Sequence, residues 1–259
     1  MTRTRAIVFD MDGVLIDSEK LHAHAKRIAF AHAGIPLTHA DLRAYVGRSD
    51  AIMIDEIGTR YELTNHQRST VLNEKTRIYE QEEQGIKIVP GAIEFVRWAA
   101  QHYRLALATS ATPRNRTATL DRLGIANLFE VVADLGDVSE PKPSPEIYSL
   151  TASRLALPPS KCMVVEDALT GVLSAKRAGC CVSALTRTFP AHELIEAGAN
   201  FTFRGFASLK HFLDVSERED TQWLRQCPQP TPPISNERKP VLRAQIRKVE
   251  AVRIRRHFK

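Results

Sequence analysis

Cysteine and tryptophan are scarce in this chain of 259 residues, which contains four cysteines and two tryptophans. The cysteines form no Cys-x-x-Cys pair, and Cys162, Cys180 and Cys181 lie in or beside apolar runs. This placement favours buried, reduced thiols over disulfide bonds or a zinc site. His22 and His24 are two positions apart on a predicted helix, so they face different ways and form no metal-ligand pair. The sequence therefore argues against a zinc enzyme.

Long hydrophobic stretches are absent as well. No run reaches the roughly 18 apolar residues that a membrane-spanning helix needs. The charged residues 1–5 are not followed by the long apolar region of a secretory signal. We therefore expect a soluble, cytoplasmic protein with no membrane span. Its length is sufficient to bury a substantial core in one or two domains.

The net charge of +6 comes from the end of the chain. Residues 226–259 hold nine Lys or Arg against two acids, together with five prolines, and the rest of the chain is nearly neutral. Proline-rich polar sequence cannot build a core, so we predict a basic tail that is disordered or partly helical. Such a tail is either a solvated extension or a segment that binds RNA, a membrane surface or a partner protein.

Two aspartates, Asp10 and Asp12, follow directly on the apolar run 6–9 and precede Gly13. The run predicts a buried parallel strand, and its carboxyl end is where open α/β sheets build their sites. Side chains at positions i and i+2 share a face, so both carboxylates can reach one ligand. One can attack or hold a metal while the other moves a proton. Taken alone, the motif is equally compatible with a simple turn, because Asp and Gly are common turn residues.

The same construction recurs three times further along the chain. The apolar runs 105–108, 131–133 and 163–165 end in polar residues, which are Thr109 with Ser110, Asp134, and Glu166 with Asp167. Parallel neighbouring strands would bring these side chains to one crevice. Acids gathered there would repel one another without a cation, and their hard oxygen ligands suit Mg²⁺. We therefore expect Mg²⁺ as the cofactor and an anionic substrate, most often a phosphate.

Lys142 is the predicted positive charge for such a substrate. An isolated lysine is most often a solvated surface residue, but Pro141 and Pro143 on either side restrict where this one points. Thr109 and the amide of Ser110 are further candidates for binding phosphate oxygens, because a helix is predicted to begin just after them.

Taken in order, these motifs resemble the haloacid dehalogenase superfamily. The matching segments are residues 10–19, Thr109-Ser110, Lys142-Pro143 and residues 164–167. Within that superfamily the chain is similar to the beta-phosphoglucomutase and small-metabolite phosphatase branch, over about residues 5–213. The resemblance implies an α/β fold with a Rossmann-like parallel sheet core and an inserted all-helical cap domain. It also implies a Lys142-Pro143 peptide bond that relatives often hold in the cis form.

The division into domains follows from the same resemblance. We predict that residues 1–18 and 87–225 form the α/β catalytic core and that residues 19–86 form the helical cap. Hydrophobic periodicity within the cap predicts one helix that ends at Gly34 and three more over 38–47, 51–57 and 64–85.

The resemblance assigns the chemistry to two acids. Asp10 is expected to attack phosphorus and form an aspartyl-phosphate, while Asp12 protonates the leaving oxygen and later deprotonates water. Thr109 and Lys142 are expected to stabilise the transferring oxygens.

The same resemblance implies the metal ligands. They are the carboxylate of Asp10, the backbone carbonyl of Asp12 and the carboxylate of Asp167, with Glu166 beside the metal or bound to it.

A cap of this kind closes over the core and contacts the substrate. The candidates for those contacts are His22, Gly47, Arg48, Lys75 and Arg77, each of which is also compatible with an ordinary surface role. A substrate that fits beneath a cap is small.

Three functions remain compatible with the sequence. The first is a magnesium-dependent phosphatase of a small phosphorylated metabolite, most plausibly a sugar phosphate. The second is a beta-phosphoglucomutase, in which a sugar hydroxyl rather than water accepts the phosphoryl group. The third is a nucleic-acid-binding protein that acts through the basic tail. The oligomeric state cannot be read from the sequence.

Overall fold

The computed structural model describes residues 4–218, and its centre is a six-stranded sheet. All neighbouring strands in this sheet are parallel, in the order β5-β4-β1-β6-β7-β8. The strands β2 and β3 form a separate antiparallel pair. The bounds in chain order are β1 (Ala6–Phe9), β2 (Ile16–Asp17), β3 (Lys87–Ile88), β4 (Arg104–Ala108), β5 (Val131–Ala133), β6 (Cys162–Glu166), β7 (Cys181–Leu185) and β8 (Phe201–Phe203).

Strand β1 lies in the middle of the sheet, between β4 and β6. Phe9 pairs with Leu107 on one side and with Val165 on the other. The backbone N–H of Asp10 still donates to the carbonyl of Val165, at 3.0 Å. Because the three strands are parallel and in this register, the residues that follow them lie side by side at one edge of the sheet.

Ten helices in the described part of the chain surround these strands. Their bounds are α1 (Glu19–His32), α2 (His39–Ala44), α3 (Asp50–Arg60), α4 (Asn65–Glu82), α5 (Ala92–Ala99), α6 (Pro113–Leu123), α7 (Glu146–Arg154), α8 (Leu169–Ala178), α9 (Ala191–Glu196) and α10 (Phe206–Arg218).

The six remaining helices after α4 cover both faces of the sheet. On β1, Ile7 and Phe9 pack into the cluster that includes α5, α6 and α10, whereas Ala6 and Val8 pack against α7, α8 and α9. This alternation follows from the two-residue period of a strand, and burial on both faces explains why the strands read as continuous apolar runs. The prediction of an α/β, Rossmann-like parallel core is confirmed.

Helices α1 to α4 form the inserted cap, between the short strands β2 and β3. They enclose a small hydrophobic cluster of their own, which contains Phe30, Met53, Ile57 and Val71 among others. Thr38 and Thr64 begin α2 and α4 with reciprocal capping boxes, which satisfy backbone N–H groups at the two helix starts. The inserted helical cap is therefore confirmed, and the boundaries at residues 18/19 and 86/87 stay our proposed division.

One predicted helix of the cap is shorter than expected. The pattern predicts a helix over 38–47, but α2 ends at Ala44. Gly47 has a φ of +74°, in the left-handed region that favours glycine, and a Cβ there would press against Ala168 and Thr170 of the core. At Gly47 the cap lies so close to the core that a side chain would not fit. The chain turns here instead of continuing the helix.

Two further expectations can be compared with the described residues. The Lys142-Pro143 peptide bond is cis, as the resemblance implies. Cys162, Cys180 and Cys181 are buried, as expected.

Among residues 4–218, every helix is too short or too polar to span a lipid bilayer. The predicted basic tail, residues 226–259, lies outside the described residues.

The buried centre of the sheet gives a test of the fold. Leu107 on β4 has 0% of its side-chain surface exposed. We expect Leu107→Ala to lower the free energy of unfolding by about 2–5 kcal/mol, because it leaves a cavity between packed layers. Ile195 on α9 is 46% exposed, so Ile195→Ala should change that free energy by less than about 0.5 kcal/mol. Urea unfolding followed by circular dichroism measures both, and equal effects would contradict the assigned packing.

Candidate active site

The carboxyl edge of the sheet brings the predicted strand-end residues together. Asp10 follows β1, Thr109 follows β4, and Glu166 and Asp167 end β6 and begin the next loop. All four are buried, and the two β6 acids are 1% exposed. The predicted convergence of these groups is what the register of the three central strands produces.

Lys142 reaches this edge from the loop before α7, and its side chain is only 2% exposed. Its Nζ donates to Oδ1 of Asp10 at 2.7 Å and to Oε1 of Glu166 at 2.8 Å. It also contacts the hydroxyl of Tyr148 at 2.9 Å and the carbonyl of Ala108 at 3.2 Å. Burial lowers the pKa of Lys142, but the charges of Asp10 and Glu166 outweigh that effect and hold it above its ordinary value. The ammonium is therefore charged, buried and fixed.

Both carboxylate oxygens of Glu166 accept hydrogen bonds from protein donors. Oε1 accepts from Lys142 and from the hydroxyl of Tyr148, at 2.8 and 2.9 Å. Oε2 accepts from the backbone N–H groups of Asp167 and Ala168, at 2.9 and 3.0 Å. This carboxylate consequently acts as the counter-ion that locates Lys142.

Three carboxylates at this edge have the geometry of a cation site. Ligand oxygens of Asp10, Glu166 and Asp167 lie within 4.8 Å of one another. Burial raises the pKa of Asp10 to about 8, against the opposing charge of Lys142. Burial and the charges of Glu166 and Asp10 raise the pKa of Asp167 well above its ordinary value. A single ammonium does not neutralise three buried acids, so a hard divalent cation fits both the charge and the donor set.

The second aspartate of the motif points elsewhere. Oδ1 of Asp12 accepts a short hydrogen bond from the hydroxyl of Ser18, and Nε2 of His22 lies 3.3 Å from the same oxygen. Burial would raise the pKa of Asp12, but the hydrogen bonds from His22 and Ser18 prevail and lower it. In this arrangement Asp12 is an ionised carboxylate, and its side chain is not part of the three-acid group.

His22 is itself held by the cap. Nζ of Lys75 lies 3.2 Å from Nδ1 of His22, and an ammonium can only donate. Nδ1 is therefore the acceptor in this contact, and Nε2, the atom that faces Asp12, is the nitrogen that can donate to it. The ring also stacks on Tyr79, with 4.5 Å between ring centroids. His22 was predicted to contact substrate, and the structure places it against the second aspartate.

Lys75 and Lys26 converge on one acid of the cap. Asp50 lies 2.5 Å from Nζ of Lys75 and 3.3 Å from Nζ of Lys26. Burial would raise the pKa of Asp50, but the charges of Lys26 and Lys75 hold it well below its ordinary value. These two lysines are thus already paired.

The other cap candidates differ in where they lie. Gly47 and Arg48 line the cavity, but the guanidinium of Arg48 pairs with Glu56 at 2.5 Å and lies over the ring of Tyr45. Arg77 lies on the exposed side of α4, paired with Glu74 at 2.8 Å. The structure brings Gly47 and Arg48 to the site and leaves Arg77 outside it.

A cavity of about 200 Å³ lies between the three-acid group and the cap. Ser110 lines it, while Thr109 is fully buried one residue earlier and accepts a hydrogen bond from the N–H of Ala111 at 3.1 Å. Neutral side chains contribute to the wall on the cap and α6 sides, among them Ser49, Leu72, Thr76, Thr112 and Asn115. The volume suits a small molecule.

The structure adds residues that sequence reasoning missed. They are Ser18, Asp50, Tyr148 and Thr188, which contact Asp12, Lys75, Lys142 and Asp167 respectively. Two of them had a signal, since Ser18 belongs to the first motif and Asp50 follows Gly47-Arg48-Ser49. Tyr148 and Thr188 had none, because their partners are distant in sequence or on other strands.

Comparisons with known proteins agree with this geometry. A family model described as haloacid dehalogenase-like hydrolase matches residues 4–179. The phosphorylated carbohydrates phosphatase of Thermotoga maritima is 36% identical over 181 residues, which cover 67% of this chain and 81% of that protein. The validoxylamine A 7'-phosphate phosphatase of Streptomyces hygroscopicus subsp. limoneus is 33% identical over 196 residues, 74% of this chain and 91% of that protein.

A solved structure gives the fold independently of sequence. The beta-phosphoglucomutase of Clostridium difficile superposes with a TM-score of 0.73 at 24% identity, covering 84% of this chain and 98% of the other. The family model spans the core motifs and the inserted cap, and both phosphatases match over two thirds or more of this chain. This chain belongs to the haloacid dehalogenase-like hydrolase family.

Proposed function

We propose that this protein is a magnesium-dependent phosphatase of a small phosphorylated metabolite, most plausibly a phosphorylated carbohydrate. The observation that carries the proposal is the buried group of Asp10, Lys142 and Asp167 at the floor of a capped cavity. One relative is named a phosphatase of phosphorylated carbohydrates and another a phosphatase of validoxylamine A 7'-phosphate, and both names support a small phosphorylated substrate.

In the first step, a carboxylate oxygen of Asp10 attacks phosphorus. The bond from phosphorus to the substrate oxygen breaks as the aspartyl-phosphate bond forms, which divides one difficult displacement into two easier ones. Lys142 already holds one oxygen of Asp10 and lies where negative charge gathers on the transferring oxygens. Ser110 and Thr109, which follow β4, are proposed to bind the same oxygens.

Asp12 is proposed to move the protons. It gives a proton to the leaving oxygen, and in the second step it takes one from water as that water attacks phosphorus and the aspartyl-phosphate bond breaks. The hydrogen bonds from Ser18 and His22 favour the ionised carboxylate, which is the form that the second step needs. Before the first step the ionised Asp12 takes up a proton from solvent, and it then gives this proton to the leaving oxygen.

Asp10, Asp167 and the backbone carbonyl of Asp12 are the proposed Mg²⁺ ligands, with Glu166 beside them. When bound, the cation supplies positive charge that lowers the pKa of the buried acids and offsets charge on the phosphoryl oxygens. The ordinary role of Glu166 is then to position Lys142, since four donors already occupy its oxygens.

Water is favoured over a sugar hydroxyl as the acceptor. Transfer from Asp10 to a second sugar phosphate would give a sugar with two phosphates, and the distant phosphate would need a cation. Every lysine and arginine that lines the cavity in the described part of the chain already pairs with an acid; these are Lys26, Arg48, Lys75 and Lys142. We therefore place beta-phosphoglucomutase activity second.

A panel of sugar monophosphates tests the proposed function. We expect phosphate release that requires Mg²⁺, is abolished by chelation and falls at least about 10³-fold in Asp10→Asn, because the variant lacks the nucleophile. Malachite green detection of phosphate measures the rate. Asp121→Asn, on the partly exposed helix α6, is the matched control and should retain activity.

The panel includes beta-glucose 1-phosphate, with the products followed by NMR. Conversion to glucose 6-phosphate without net phosphate release would overturn the phosphatase proposal and support beta-phosphoglucomutase activity. Full phosphate release by Asp10→Asn would overturn the assigned nucleophile.

The contact between His22 and Asp12 predicts a change in pH dependence. His22→Phe keeps a ring to stack on Tyr79 but removes the hydrogen bond from Nε2 that lowers the pKa of Asp12. The pKa of Asp12 should rise, so the ionised form that accepts a proton from water is lost at a higher pH. The acidic limb of the kcat profile should therefore move toward higher pH, because kcat includes the second step, in which Asp12 accepts the proton.

His24→Phe is the matched control, because His24 lies on the same helix but pairs with the exposed Glu82. Its acidic limb should coincide with that of the wild type. A His22→Phe enzyme whose activity falls equally at every pH would contradict the proposed action through Asp12.

A further inference from the structure

The loop after β7 contacts the proposed cation site from outside the family motifs. Thr188 in this loop donates a short hydrogen bond from its hydroxyl to Oδ2 of Asp167. Gly13 also lies against this carboxylate, since a Cβ at Gly13 would overlap Oδ2. Asp167 is thus confined by Gly13 and Thr188, and one of its two oxygens is committed to the hydroxyl.

The same loop is attached to the base of the cap. Arg187 pairs with Asp17 of β2 at 2.9 Å. Strand β2 leads directly into α1, so this ion pair connects the loop to the point at which the chain enters the cap.

The loop is also attached to the body of the cap. The guanidinium of Arg43 on α2 lies 4.7 Å from the ring centroid of Phe189, and it pairs with Glu193 at 2.7 Å. Phe189 is buried and directly follows Thr188. Arg43 therefore connects cap helix α2 both to Phe189, the residue after Thr188, and to Glu193 on the helix that follows this loop.

We propose that Thr188 is a positioning residue for Asp167 and that the cap, through Arg43, holds Thr188 in place. Cation binding and cap closure then favour each other. This inference rests on the proposed cation site and adds a residue and a coupling to it.

The physical argument concerns which oxygen of Asp167 faces the cation. A carboxylate that can rotate presents either oxygen and loses conformational freedom when it binds a metal. A hydroxyl fixed on Oδ2 removes that freedom in advance and leaves Oδ1 available to the cation. Partners that orient metal ligands in this way typically affect metal affinity by about 10–100-fold.

The coupling follows from reciprocity between binding events. If a closed cap orders Thr188, then closure strengthens cation binding, and bound cation must stabilise the closed cap by the same factor. An anion beneath the cap, such as inorganic phosphate, should therefore strengthen cation binding, in part through Arg43.

Isothermal titration calorimetry with Mg²⁺ on the full chain tests the role of Thr188 without requiring turnover. Thr188→Val removes the hydroxyl at nearly constant volume, and we expect it to weaken Mg²⁺ binding by about 10-fold or more. Thr188→Ser restores a hydroxyl and should bind within a fewfold of the wild type. Thr186→Val is the matched control, since the hydroxyl of Thr186 donates to the carbonyl of Phe203 rather than to Asp167.

The outcomes separate orientation from general disturbance of the loop. Wild-type affinity in Thr188→Val would overturn the proposal, and so would an equal loss in Thr186→Val or in Thr188→Ser. Wild-type protein that binds Mg²⁺ but releases no phosphate from any sugar phosphate would remove the proposed function and leave the role of Thr188 supported by these variants.

The cap contact has its own test, in the presence of saturating inorganic phosphate. Arg43→Met keeps an aliphatic chain over Phe189 but removes the charge that pairs with Glu193, and it should reduce the phosphate-dependent gain in Mg²⁺ affinity severalfold. Arg60→Met is the control, because Arg60 pairs with Asp41 inside the cap. An unchanged gain in Arg43→Met, or an equal loss in Arg60→Met, would overturn the coupling through Arg43.

Discussion

The buried ammonium of Lys142 is the interaction on which the arrangement of this site depends. Asp10, Glu166 and Asp167 end neighbouring strands, and burial of three acids at one sheet edge is unfavourable without positive charge. Lys142 supplies one charge and connects Asp10 to Glu166. In buried networks of this kind, removal of one partner costs about 3–5 kcal/mol, because an uncompensated charge remains. One ammonium leaves the three buried acids incompletely neutralised. This remaining negative charge is the physical basis for proposing a divalent cation at the site.

The core and the cap each hold a different part of the site. The core fixes the first aspartate, the lysine and the acids of β6, whereas the cap reaches the second aspartate through His22 and Lys75. The two aspartates of one short motif consequently have opposite environments: burial raises the pKa of Asp10, and hydrogen bonds lower that of Asp12. The proposed cation beside Asp10 would lower the pKa of Asp10 and so keep that carboxylate ionised for attack on phosphorus.

The lysine and arginine side chains on the cap side of the cavity are paired with acids, and this limits which substrates we expect the cavity to bind. Lys26 and Lys75 pair with Asp50, and Arg48 pairs with Glu56. These side chains line the cavity wall, but their positive charges are already paired with acids. Neutral hydroxyl and amide groups such as those of Thr76 and Asn115 complete the wall and suit a polyhydroxylated molecule with one phosphate. These features, more than the core motifs, are our reason for proposing a phosphatase ahead of a phosphomutase.

The sequence by itself determined the parallel core, the strand ends at which Asp10, Thr109 and Glu166 lie, and the helical insertion, because strand burial and helix periodicity are local patterns. It also indicated Lys142, through the prolines around it. Only the tertiary structure decided that His22 faces Asp12, that Arg48 pairs with Glu56, and that Thr188 donates a hydrogen bond to Asp167. Those contacts join residues between 8 and 21 positions apart in sequence across different elements, and side-chain aim depends on how the elements pack, which no local pattern specifies.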